Sequence, residues 1–64
     1  MKIPKYKIGD TVIAKGWIYW NLFEVIGGHW EEDLAEWAYT LCPRYPTWLT
    51  VRHSKLEFEL REVE

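Results

Sequence analysis

The stretch His29-Trp30-Glu31-Glu32-Asp33-Leu34-Ala35-Glu36-Trp37-Ala38-Tyr39-Thr40-Leu41 carries two periodicities, and the choice between them decides the fold. Apolar residues at 30, 34, 37, 38 and 41 follow helical spacing, with acids near the start, where a helix dipole favours them. Against a helix, Trp37, Tyr39 and Leu41 alternate with Ala38, Thr40 and Cys42, and Pro43 closes the run before a second proline-bounded turn, Arg44-Tyr45-Pro46. Alternation predicts a strand over residues 36–42 with at most a short helical turn before it. A helix over 30–41 is the competing reading.

On either side of this stretch the signals are those of β-structure. Thr11-Val12-Ile13-Ala14-Lys15 is a β-branched run entered through a turn at Gly9-Asp10. Gly16 releases the chain into the aromatic segment Trp17-Ile18-Tyr19-Trp20-Asn21. Strand-like composition resumes over 22–26 and stops at Gly27-Gly28. After the Pro43 to Pro46 turn, residues 48–52 read as a fourth strand, paired back on the third because the loop between them is short. His53-Ser54-Lys55-Leu56 is polar and short, and suits a single 3₁₀ turn. Residues 57–63 then alternate, which turns Phe58, Leu60 and Val63 or its neighbour inward and the acids outward.

The opening Ile8-Gly9-Asp10-Thr11-Val12, the central Trp37-Ala38-Tyr39-Thr40-Leu41 and the closing Val51-Arg52-His53-Ser54-Lys55-Leu56-Glu57 together resemble the skeleton of SH3-like and Tudor-like barrels. The resemblance implies an all-β domain spanning residues 1–64: a five-stranded SH3-like barrel, with a short 3₁₀ turn before the last strand and a binding surface of loop aromatics. It fixes architecture and leaves function open. Peptide-binding SH3 domains carry an acidic first long loop, whereas residues 16–21 hold aromatics and no acid. The plasmid-encoded dihydrofolate reductase of similar fold carries a Val-Gln-Ile-Tyr segment, and Leu49-Thr50-Val51-Arg52 does not match it.

Sixty-four residues leave room for one core, and a chain this short must pack densely to be stable without disulfides or metal. Five Trp, four Tyr and two Phe supply that density and exceed what so small an interior encloses. Cys42 is the single cysteine, which excludes an internal disulfide and fits a reducing, cytoplasmic setting. No stretch approaches the ~20 apolar residues of a spanning helix, so no membrane partner is expected. Eight basic and ten acidic residues give a net charge of −2, which weighs against nucleic acid. Charge is nonetheless polarised, with Lys2, Lys5, Lys7 and Lys15 early and Glu57, Glu59, Glu62 and Glu64 late.

Catalysis or metal binding needs convergent polar groups, and His29, His53, Cys42 and scattered carboxylates show no ligand spacing. No catalytic residue, metal ligand or cofactor is assigned. Both histidines read as loop residues, and Cys42 as a small packing group. The acidic run Glu31-Glu32-Asp33 reads as a solvated loop. Trp17, Tyr19, Trp20, Trp30, Tyr45 and Trp48 fall on loops, strand ends or an outward position, and rings that the interior cannot take form an exposed apolar patch. The expected function is a non-enzymatic interaction module that meets a protein segment or another copy of itself. The alternatives are a subunit of a small homo-oligomeric enzyme or ligand-binding protein with an inter-subunit pocket, and single-stranded nucleic-acid binding.

Overall fold

Thr11-Val12-Ile13-Ala14-Lys15 forms the first strand, β1 (Thr11–Lys15), because its branched side chains suit a half-buried pleat. It belongs to a computed structural model that describes residues 2–15, 20–45 and 51–63. The strands β2 (Trp20–Glu31), β3 (Glu36–Pro43), β4 (His53–Leu56) and β5 (Arg61–Glu62) follow, with a 3₁₀ turn at Glu57–Glu59 between the last two. They make one antiparallel sheet in the order β4-β3-β2-β1-β5. Among the described residues no ladder joins β4 to β5, so both are sheet edges.

The two-period stretch resolves as a strand. Residues 32–35 make a tight turn, in which Leu34 N–H donates to the Glu31 carbonyl and Ala35 N–H to that of Glu32. Alternation then holds through β3, and the helix over 30–41 does not form. The ladder with β2 wins because Tyr39 and Leu41 reach the core from it and residues 36–43 all find cross-strand partners on β2.

The strand boundaries differ from the sequence reading at several points. β2 does not stop at Gly27-Gly28. It bulges between Val25 and Gly27 and continues to Glu31, so one long strand serves the ladder with β1 at its start and the ladder with β3 at its end. His53–Leu56 is a strand, its register set by pairing with residues 38–41 of β3. Its polar composition reflects an edge position. The 3₁₀ turn accordingly falls four residues later, which leaves Leu60 buried but Phe58 69% exposed and Val63 exposed. Of the expected fourth strand over 48–52, residues 51 and 52 are outside any strand, and 48–50 lie outside the described residues.

The core lies on one face of the sheet. Val12 and Ala14 of β1, Phe23 and Val25 of β2, and Tyr39 and Leu41 of β3 pack there with Leu60. Tyr6 covers them from the N-terminal segment, its ring edge-on to that of Tyr39 with centroids 5.4 Å apart. The turn before β1 fixes this segment. Gly9 takes a φ of +99°, a conformation that disfavours side chains, while Asp10 N–H donates to the Lys7 carbonyl and the Asp10 carboxylate accepts from Lys7 N–H.

Candidate functional site

Register decides which side chains share the face opposite the core. Directly opposed residues in antiparallel strands point to the same side, so the pairs Thr11 with Glu24, Ile13 with Leu22 and Lys15 with Trp20 line one surface. The pairing of Ile13 with Arg61 brings a β5 residue onto the same face. Arg61 lays its guanidinium over the Trp20 indole, 4.4 Å from the ring centroid. From beyond β3, Arg44 reaches back and donates from Nη1 to Thr11 Oγ1 at 2.8 Å. The result is a strip of half-buried Ile13 and Leu22 beside Trp20, which is 45% exposed, with Lys15, Arg61 and Arg44 around it and Glu24 as the acid of the strip.

Tyr45 stands at the same end. It is 58% exposed, and its carbonyl accepts a hydrogen bond from Asn21 Nδ2 at 3.1 Å. The preceding Arg44 N–H donates to the Leu22 carbonyl, which continues the β2–β3 alignment to this point. Trp20 and Tyr45 are therefore brought to one end of the sheet. Trp30 is not with them. It lies at the far end of β2, about 30 Å away at the usual strand rise. There it packs edge-on against its cross-strand partner Trp37, with centroids 5.6 Å apart. Trp37 is tied in turn by an indole N–H donated to the Lys2 carbonyl at 2.7 Å. Trp17, Tyr19 and Trp48 lie outside the described residues.

A polar junction on the core side holds the two ends of the chain together. The Tyr39 hydroxyl accepts from Tyr6 N–H at 3.2 Å and donates to Glu57 Oε1 at 2.7 Å, and the same carboxylate oxygen accepts from Lys5 N–H at 2.8 Å. Burial, and then the hydrogen bond to Glu57, push the Tyr39 phenol from its ordinary value up to about 12. Lys5 Nζ pairs with Glu62 at 3.4 Å and Lys2 Nζ with Glu36 at 3.2 Å. One early lysine, Lys5, thus meets a late glutamate, Glu62, as an ion pair. A shallow depression of about 260 Å³ beside this junction is lined by Lys5, Tyr6, Asp10, Thr11, Glu62 and Val63, where Lys5 pairs with Glu62 and the Asp10 carboxylate is held by Lys7 N–H.

The remaining reactive side chains are scattered. Neither histidine is in a loop: His29 lies on β2, exposed and paired with Glu31, and His53 lies on β4, half-buried with its ring edge-on to Phe23. Cys42 is half-buried opposite Glu24, and Arg52 donates to its Sγ at 3.3 Å. Among the described residues no group of three or more His, Cys, Asp or Glu side chains is placed to hold a metal ion. None of the described helices is long and apolar enough to cross a membrane.

The aromatic part of the Trp20 surface is visible in composition. Its basic rim is not, because Lys15, Arg44 and Arg61 lie far apart in sequence and only the β3-β2-β1-β5 order assembles them. No protein-family model matches the chain, and no curated protein or solved structure matches it either.

Proposed function

We propose that the chain is a non-enzymatic protein-interaction module on an SH3-like barrel framework, and that it binds through the Trp20 and Tyr45 end of the sheet. The barrel reading is supported by the strand order, by one long bulged β2 shared between two ladders, and by a 3₁₀ turn between β4 and β5. The observation that carries the functional reading is Trp20. Its large indole is nearly half exposed on a sheet face, held in place by Arg61, and flanked by Ile13, Leu22 and exposed Tyr45. An indole in such a setting gains most when a partner removes it from water, which is why Trp, Tyr and Arg dominate the energetic centres of interfaces.

Substituting a photo-crosslinking phenylalanine analogue for Trp20, in the cells that make the protein, tests this reading. Irradiation is expected to give a discrete protein adduct, either with a second copy or with another chain, which the same analogue at exposed Phe58 does not give. If both positions yield no adduct, or the same one, the assignment of the binding surface fails.

A further inference from the structure

Resting on that reading of the Trp20 face, we infer that its occupant is the β2–β3 turn of a second copy of this chain, bound head to tail. The face is an apolar strip bordered mainly by cations, with the half-buried Glu24 beside Thr11 as an acid at one end. Lys15, Arg44 and Arg61 surround Ile13, Leu22 and Trp20, and none of the three cations has a carboxylate partner among the described residues. The turn has the complementary arrangement. Leu34 stands 58% exposed at its tip, next to exposed Glu32 and Asp33, which have no cation partner among the described residues. Ala35 at φ 50° and the two turn hydrogen bonds hold the tip in one shape, so little conformational freedom is lost when it docks.

Within one molecule the two surfaces cannot meet. The face is built on the first residues of β2 and the turn follows its last, so the twelve residues of the strand, roughly 30 Å at the usual rise, hold them at opposite ends of the sheet. A contact between them is therefore intermolecular and joins different patches of the two copies, the kind that extends into chains or closes into rings. One turn on one strip buries less than a standard interface, so the association is weak and carried largely by charge. A polynucleotide would also be drawn to these cations. The net charge of −2 and the apolar centre of the strip favour an acidic turn with a leucine at its tip.

Sedimentation velocity over a concentration series tests the inference, comparing wild type with R44E/R61E and with E32K/D33K. All four substituted side chains are exposed, and circular dichroism checks that each variant keeps the wild-type fold. Wild type is expected to associate with rising concentration at low salt. Raising salt to about 0.5 M should weaken this by about tenfold or more, as screening shortens the reach of exposed charges. Each double variant alone should stay monomeric, because like charges then oppose each other, and an equimolar mixture of the two should recover association. Wild type that stays monomeric at low salt, a variant that associates like wild type, or a mixture that remains monomeric overturns the inference. If either variant loses its fold, E32Q/D33Q and R44Q/R61Q replace the reversals. Each alone should then associate less than wild type, and their mixture should stop at 1:1 pairs. A monomeric wild type together with a Trp20 adduct to a different protein would reject the second copy as occupant and leave the binding surface standing.

Discussion

Tyr6 and Tyr39 meet edge to face in the core, yet their hydroxyls are in opposite circumstances. That of Tyr39 accepts from Tyr6 N–H and donates to Glu57, whereas the buried Tyr6 Oη has no hydrogen-bond partner within 3.5 Å among the described residues. Removing a satisfied buried hydroxyl strands its partners, and removing an unsatisfied one relieves a desolvation cost. Tyr39→Phe is therefore expected to lower unfolding free energy by about 1–3 kcal/mol, and Tyr6→Phe to leave it unchanged or raise it by up to about 1 kcal/mol, both read from urea denaturation. The raised Tyr39 phenol adds a pH signature. An unfolded tyrosine ionises near 10 and the folded Tyr39 near 12, so the folded state holds this proton more tightly. Its contribution to stability is fully present below pH 10 and is lost as pH rises through 12. The difference in stability between wild type and Tyr39→Phe should therefore shrink across that window. A difference that stays constant would show that burial and Glu57 do not set the phenol.

The glycines of β2 show how a strand can pass through residues that usually punctuate one. Gly27 faces Thr40 with ordinary clearance, and a Cβ there would lie 3.8 Å from the Thr40 Cβ. Gly28 lies under Tyr39, and a Cβ there would come within 3.2 Å of the Ala38 carbonyl oxygen and 3.3 Å of the Tyr39 ring. A carbonyl in a ladder cannot easily move aside, so Gly28→Ala is expected to cost about 1–3 kcal/mol of overpacking. Gly27→Ala is expected to stay within about 0.5 kcal/mol of wild type, as thermal or chemical unfolding would show. These positions also explain what was legible at this level. Thr11–Lys15 and the Trp37-Tyr39-Leu41 alternation show their strands through local composition. β2 beyond Gly27 and the edge strand His53–Leu56 do not, because pairing with β3 holds them despite glycine and polar residues. The candidate site divides the same way, with Trp20 and Tyr45 standing out as surplus rings and the basic rim arising only from register.

At the scale of the whole molecule, the N-terminal segment is a structural layer of its own, laid across the core face of the sheet. It contributes the buried Tyr6, 7% exposed, and three hydrogen bonds made by its backbone to other elements, from Lys5 N–H to Glu57, from Tyr6 N–H to Tyr39, and from the Trp37 indole to the Lys2 carbonyl. A chain of 64 residues has a total stability of about 3–10 kcal/mol by ordinary per-residue values. Deleting a buried aromatic ring alone costs about 3–5 kcal/mol. A variant lacking residues 1–6 loses the ring and all three bonds together, a deficit comparable to the whole margin, and is expected to be largely unfolded at 25 °C by near-ultraviolet circular dichroism. Lys2→Ala makes the instructive contrast. It removes the ion pair to Glu36, in which the lysine is largely exposed, but keeps the backbone carbonyl that Trp37 uses, so it should change stability by about 0–1 kcal/mol. If the truncated chain keeps the tertiary signal of the full one, the sheet closes its core without this layer, and the junction of Tyr6, Tyr39 and Glu57 is an accessory rather than the lock between the two ends of the chain.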